Sequence, residues 1–141
     1  MTKIHFEAPS PEDYCNLRAN AGMSSKSIEA AIKGLPHACF NVTLYENDML
    51  IGMGRVIGDG GTVFQIVDIA VKDIYQGLGH GMAIMHEIMK YIESVAEEGT
   101  YVSLIADYPA DQLYEKFGFK STEPYSCLLY TSDAADDLLC V

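Results

Sequence analysis

The chain has 141 residues, 49% of them hydrophobic and 21% charged, with a formal net charge of −11. That length supports one domain with its own core, and no run nears the ~18 apolar residues of a membrane span. The acidic balance argues against a nucleic-acid or anionic-membrane partner and suits a cationic small molecule.

The opening "MTKIHFEAPSPEDY" has no apolar leader, so the expected location is the cytoplasm. Cys15, Cys39, Cys127 and Cys140 form no CxxC pair and read as reduced thiols, not as disulfides or a zinc site.

In chain order, "KIHF" reads as a strand. "SPEDYCNLRANAG" reads as a helix with Ser10 as cap, Pro11 at the first helical position and Gly22 as stop. "SSKSIEAAIKGL" gives a second helix closed by Gly34. Residues 39–71 read as three successive strands, split by Glu46-Asn47-Asp48 and by Gly58 to Gly61. From Leu78 to about Glu98 the period becomes helical, with Met82, Met85, Met89, Ile92 and Ala96 as the expected core stripe. "TYVSLIA" is then a strand, "PADQLYEKFG" a helix and "FKST" the start of another strand. The pattern predicts one α+β domain with a mainly antiparallel sheet.

The final "CLLYTSDAADDLLCV" does not continue this pattern and resembles the translation of a sequencing-library adapter. The expected domain is therefore 1–127, with a non-native tail at 128–141.

Between the last of the three strands and the long helix lies "YQGLGHG". Glycines let a backbone approach a ligand, and N–H groups at a helix N-terminus point together at an anion. The spacing is neither GxGxxG nor a Walker loop, and Asp59 and Asp107 are misplaced for a ribose-binding acid. A pyrophosphate is the natural guest, though glycines alone fit a structural turn about as well.

Two stretches carry a resemblance. "VDIAVKDIYQGLGHGMAIM" resembles the acyl-CoA-binding motif of the GNAT superfamily of N-acyltransferases, with its Gln-x-x-Gly-x-Gly on Gln76, Gly79 and Gly81. "ADQLYEKFGFK" is similar to that family's later A-x-x-L-Y-x-K-x-G-F signature. The resemblance covers roughly residues 2 to 126. It implies a three-layer fold whose mixed, mainly antiparallel sheet is flanked by helices and splayed at the acyl-CoA site.

It further implies acetyl-CoA as co-substrate and no metal. The pantetheine would run along Ile69, Ala70 and Val71, with the diphosphate on Gly77, Leu78, Gly79, His80 and Gly81, and Met82 packing just inside the helix. Tyr114 would be the phenol that protonates the departing thiolate. The family's glutamate base falls here on Gln65, so Asp68 becomes the candidate base, acting directly or through water; a substrate anchor or a satisfied polar residue are its other readings. Asp107 replaces a frequent asparagine near the pantetheine, and an ionised aspartate cannot donate there. His80 and His86 share no helix face well and are read as surface residues.

The expected acceptor is a primary amine on a small molecule, held by the first two helices and the "GDGG" turn, with Tyr14, Phe40 and Tyr45 as an apolar wall. A peptide N-terminal or lysine acetyltransferase and a non-catalytic acyl-CoA-binding module are the alternatives. A homodimer is the expected assembly.

Overall fold

The computed structural model describes residues 1–105, 111–122 and 125–130. Seven strands form one sheet: β1 (Thr2–His5), β2 (Phe40–Glu46), β3 (Met49–Gly58), β4 (Val63–Val71), β5 (Tyr101–Ile105), β6 (Lys120–Thr122) and β7 (Tyr125–Tyr130). Their spatial order is β1-β2-β3-β4-β5-β7-β6. Every neighbouring pair is antiparallel except β4–β5, which is parallel. A parallel pair needs a crossover, and the helix α3 (His80–Val95) supplies it.

The helix α1 (Pro11–Asn20) begins where the sequence signals it, and α2 (Ile28–Gly34) begins four residues into the stretch expected to be helical, with the Ser10 and Ser27 side chains accepting from Asp13 and Ala30 N–H. Tyr14 and Leu17 of α1 and Ala31 of α2 are buried with Leu50, Met53 and Ala70 on one face of the sheet. On the other face, Ile84, Met85, Ile88, Met89 and Ile92 of α3 pack on Val42, Leu44, Val56, Phe64 and Ile66. The layers are thus helix, sheet, helix, the mainly antiparallel α+β arrangement expected.

The α3 stripe is displaced from the one expected. Met85, Met89 and Ile92 are buried, but Met82 is 42% exposed, and Ile84 and Ile88 complete the apolar face. The helix starts at His80, after the glycine turn, so Met82 falls on its open first turn. Over β3 the approach is close: a Cβ on Gly54 would lie 2.7 Å from both Ile69 Cδ1 and Ile84 Cγ2.

The tail is partly structured within the sheet. Its residues Leu128 to Tyr130 complete β7, which lies between β5 and β6 and pairs with both. The strand therefore crosses the expected boundary at 127; residues 131–141 lie outside the described residues.

Candidate acyl-CoA and acceptor site

Two irregularities in β4 build the site. The first is its splay. Pairing with β5 runs from Val63↔Tyr101 to Ile66↔Leu104 and stops, while β4 continues to Val71 and β5 goes on to β7. Val67 to Val71 thus keep β3 on one side and have no β5 partner on the other.

The second is a bulge. Arg55 faces Val67 and Met53 faces Ala70, so Asp68 and Ile69 together oppose Gly54. Asp68 takes the left-handed φ of 58°, a conformation that aspartate tolerates better than most residues. The extra residue reverses the alternation of the strand. Phe64 and Ile66 face α3, and after the bulge Ile69 and Val71 do so, while Asp68 and Ala70 turn to the α1–α2 face.

Beside the splay is a cavity of about 400 Å³, lined by Ile69 and Val71 of β4, by Gln76, Gly77 and Gly79 of the loop, and by Met82. Tyr75, His80, Gly81 and Leu113 complete its wall. Gly77 and Gly79 take φ of 80° and 89°, which only glycine adopts freely. The first main-chain bond of α3 is Ala83 N–H to Gly79 O at 3.1 Å. His80, Gly81 and Met82 therefore present N–H groups without partners inside the helix, at its positive end.

Most of the residues expected on the cofactor meet here: Ile69, Val71, Gln76, Gly77, Gly79, His80, Gly81 and Met82. Three expected residues differ in where their side chains lie, while the contacts expected of Ala70 and Leu78 are main-chain ones. Ala70 is buried under α1 and α2, because the bulge turns it away from the splay. Leu78 is 68% exposed at the turn and does not line the cavity. Gln76 lies in the wall, but its Nε2 donates to Val71 O at 2.9 Å, tying the loop back to the strand. Asp107 lies outside the described residues. Tyr75 and Leu113 were not among the expected cofactor residues; the turn after β4 places Tyr75, and α4 places Leu113.

Tyr114 lies on α4 (Asp111–Glu115), whose Leu113 reaches the cavity. It is 7% exposed, and its hydroxyl makes no hydrogen bond among the described residues. Burial pushes its phenol above the ordinary value.

Asp68 sits on the opposite face in a dense cluster. It accepts from Tyr14 Oη at 2.9 Å, from Arg18 Nη1 at 2.5 Å and from Arg55 Nε at 2.8 Å. Both carboxylate oxygens are thus committed to donors, two of them guanidiniums, which is the setting of an anchor and not of an open base. Burial, then the adjacent Asp68 carboxylate, pushes the Tyr14 phenol up. Arg18 also donates to Ser24 O and Oγ, fixing the α1–α2 connection. The sequence reading singled out neither arginine.

The expected wall of Tyr14, Phe40 and Tyr45 does not form. Tyr14 and Tyr45 lie on the α1–α2 face, whereas Phe40 stacks on Tyr91 of α3 at 4.5 Å on the other. A cavity of about 580 Å³ by Lys3, His5, Tyr45 and Asp48 belongs to the outer strands β1 and β2 and the turn after β2. Among the described residues no three His, Cys, Asp or Glu side chains come together as a metal site. Nor, among them, is any helix long and apolar enough to cross a membrane.

A profile of the acetyltransferase (GNAT) domain matches residues 12–127. The chain belongs to the GNAT acetyltransferase family. It is 68% identical to a crystallised protein of unknown function from meticillin-resistant Staphylococcus aureus, described as a probable acetyltransferase, with a TM-score of 0.85 over 88% of this chain and 93% of that one. An Escherichia coli GNAT family N-acetyltransferase in complex with CoA shares the fold at 15% identity, with a TM-score of 0.70 over 97% of this chain and 86% of that one. An uncharacterized N-acetyltransferase of Porphyra purpurea is 32% identical over 98 residues, 67% of this chain and 53% of its own length. A second, from Schizosaccharomyces pombe, is 33% identical over 98 residues, 65% of this chain and 58% of its own length. The GNAT chain thus spans somewhat over half the length of these curated relatives.

Proposed function

We propose that this GNAT domain transfers an acetyl group from acetyl-CoA to the primary amine of a small molecule. The observation that carries the reading is the cavity between the unpaired end of β4 and the N-terminus of α3. Its chemistry fits the co-substrate at both ends. Unpartnered N–H groups and a helix dipole suit a diphosphate, and strand backbone without a β5 partner suits the amides of pantetheine. Acetyl-CoA supplies the activated thioester carbonyl when bound.

The chain's own residues then do three things. Gly77 to Met82 orient the diphosphate, with Gln76 holding the loop against Val71. Tyr114, buried and kept protonated, donates to the leaving sulfur. Asp68 anchors the acceptor face by fixing Tyr14, Arg18 and Arg55, and removal of the ammonium proton falls to water.

The test is an acetyl-CoA titration by calorimetry, followed by thiol release across a panel of small amines. Binding with acceptor-dependent thiol release supports the reading. Binding without release on any amine, and without loss on Tyr114→Phe, would instead indicate a non-catalytic acyl-CoA module.

A further inference from the structure

On the α1–α2 face lies a cavity of about 220 Å³, lined by Tyr14, Lys26 and Arg55 and by Ala31, Gly34 and Leu35. Asp68, which binds Tyr14 and Arg55, is the chain neighbour of Ile69 in the wall of the acyl-CoA cavity. The two cavities therefore flank one bulged segment of β4, as a donor site and an acceptor site must.

The charge on the acceptor side does not balance. Two guanidiniums, Arg18 and Arg55, share the single carboxylate of Asp68, and Arg18 and Asp68 are only 5% and 9% exposed. Arg18 spends its remaining donors on Ser24. Arg55 does not: its Nη1 is buried with no acceptor. A buried unpaired donor is costly, and more so on a charged group. Lys26 adds a second cation at the rim, with no ion pair among the described residues, and no acidic side chain lines the cavity.

Resting on the acetyltransferase reading, we infer that the acceptor is a small primary amine that also bears an oxyanion, which the Arg55 guanidinium and Lys26 bind in this cavity. A guanidinium fork matches carboxylate and phosphate oxygens alike. The volume lies below the ~300–1,000 Å³ of sites for drug-sized ligands, which points to an acceptor of amino-acid size. This reverses the cationic partner expected from net charge: the protein is acidic as a whole, but its acceptor cavity is cationic.

The experiment compares matched acceptors: an amino acid, its decarboxylated amine, and an aminoalkyl phosphate. Calorimetry measures each against the protein without nucleotide and with CoA. An acceptor whose oxyanion contacts a guanidinium is expected to bind about tenfold or more tightly than its partner lacking the oxyanion. The better of the two anionic arms identifies the group. Arg55→Lys, which keeps the charge and loses the fork, and exposed Lys26→Gln should each narrow that preference while the acetyl-CoA affinity holds. If Arg55→Lys does not fold, wild type and Lys26→Gln decide. The amine lacking an oxyanion binding as well as those that carry one, or an unchanged preference in the folded variants, would overturn the inference. Failure of acetyl-CoA to bind would instead sink the acetyltransferase reading, and the two results are read separately.

Discussion

Arg18 of α1 and Asp68 of β4, 50 residues apart in sequence, meet at 2.5 Å with side chains only 6% exposed. The contact exists because the bulge at Asp68 turns its carboxylate toward α1. It ties the α1–α2 face to the strand that lines the glycine-loop cavity.

Removing that carboxylate leaves two guanidiniums buried without a counter-charge. Breaking a buried pair from one side costs about 3–5 kcal/mol. Asp68→Ala is expected to lose stability in that range in urea unfolding. Asp68→Asn, which keeps the shape and one accepting oxygen, should lose less. A stable Asp68→Asn that binds acetyl-CoA normally yet has no turnover would restore Asp68 to the role of base.

Tyr114→Phe should lower kcat by about 10²-fold, the low end for loss of a general acid, with acetyl-CoA affinity preserved. The pH dependence of stability has a definite sign. Tyr14 and Tyr114 are both raised above the ordinary phenol value near 10. The folded state therefore holds those protons more tightly than the unfolded chain. Their contribution is full below pH ~10 and is lost as pH rises through the raised values. Alkaline unfolding followed by tyrosinate absorbance checks it, and Tyr14→Phe should flatten the loss.

Gly79 has φ of 89° and open space where a Cβ would be. Gly79→Ala thus suffers backbone strain and no clash, about 1–2 kcal/mol by the left-handed penalty. The strain falls on the turn that aims the α3 N–H groups, so acetyl-CoA affinity should fall about tenfold. An unchanged Kd would show that these amides do not hold the ligand.

A chain ending at Ser126 lacks Cys127 to Tyr130, which supply every recorded β5–β7 pair. It would expose the β5 edge and strand β6, and open edges aggregate. Loss of solubility or domain exchange is expected. Wild-type solubility and unfolding behaviour would show that β7 is dispensable.

The glycine loop and the helix behind it were legible because turn chemistry and a 3.6-residue period are local. The acceptor face was not. "VFQIVDIAV" is almost wholly apolar, with Gln65 and Asp68 three apart and not in alternation, and the bulge that turns Asp68 sits opposite Gly54 across the ladder, which no local pattern reveals. Arg18 and Arg55 read as ordinary solvated cations until α1 and β3 are brought together around Asp68. Phe40 went to the wrong wall for a simpler reason: it stands five residues before Tyr45 on β2, and an odd spacing along a strand puts the two side chains on opposite faces.

A crystal structure of the protein with CoA tests the central claim most directly. The account predicts diphosphate oxygens within hydrogen-bond distance of N–H groups between Gly77 and Met82, pantetheine along Ile69 to Val71, and the sulfur beside the Tyr114 hydroxyl. CoA held elsewhere, or a sulfur remote from Tyr114, would contradict it.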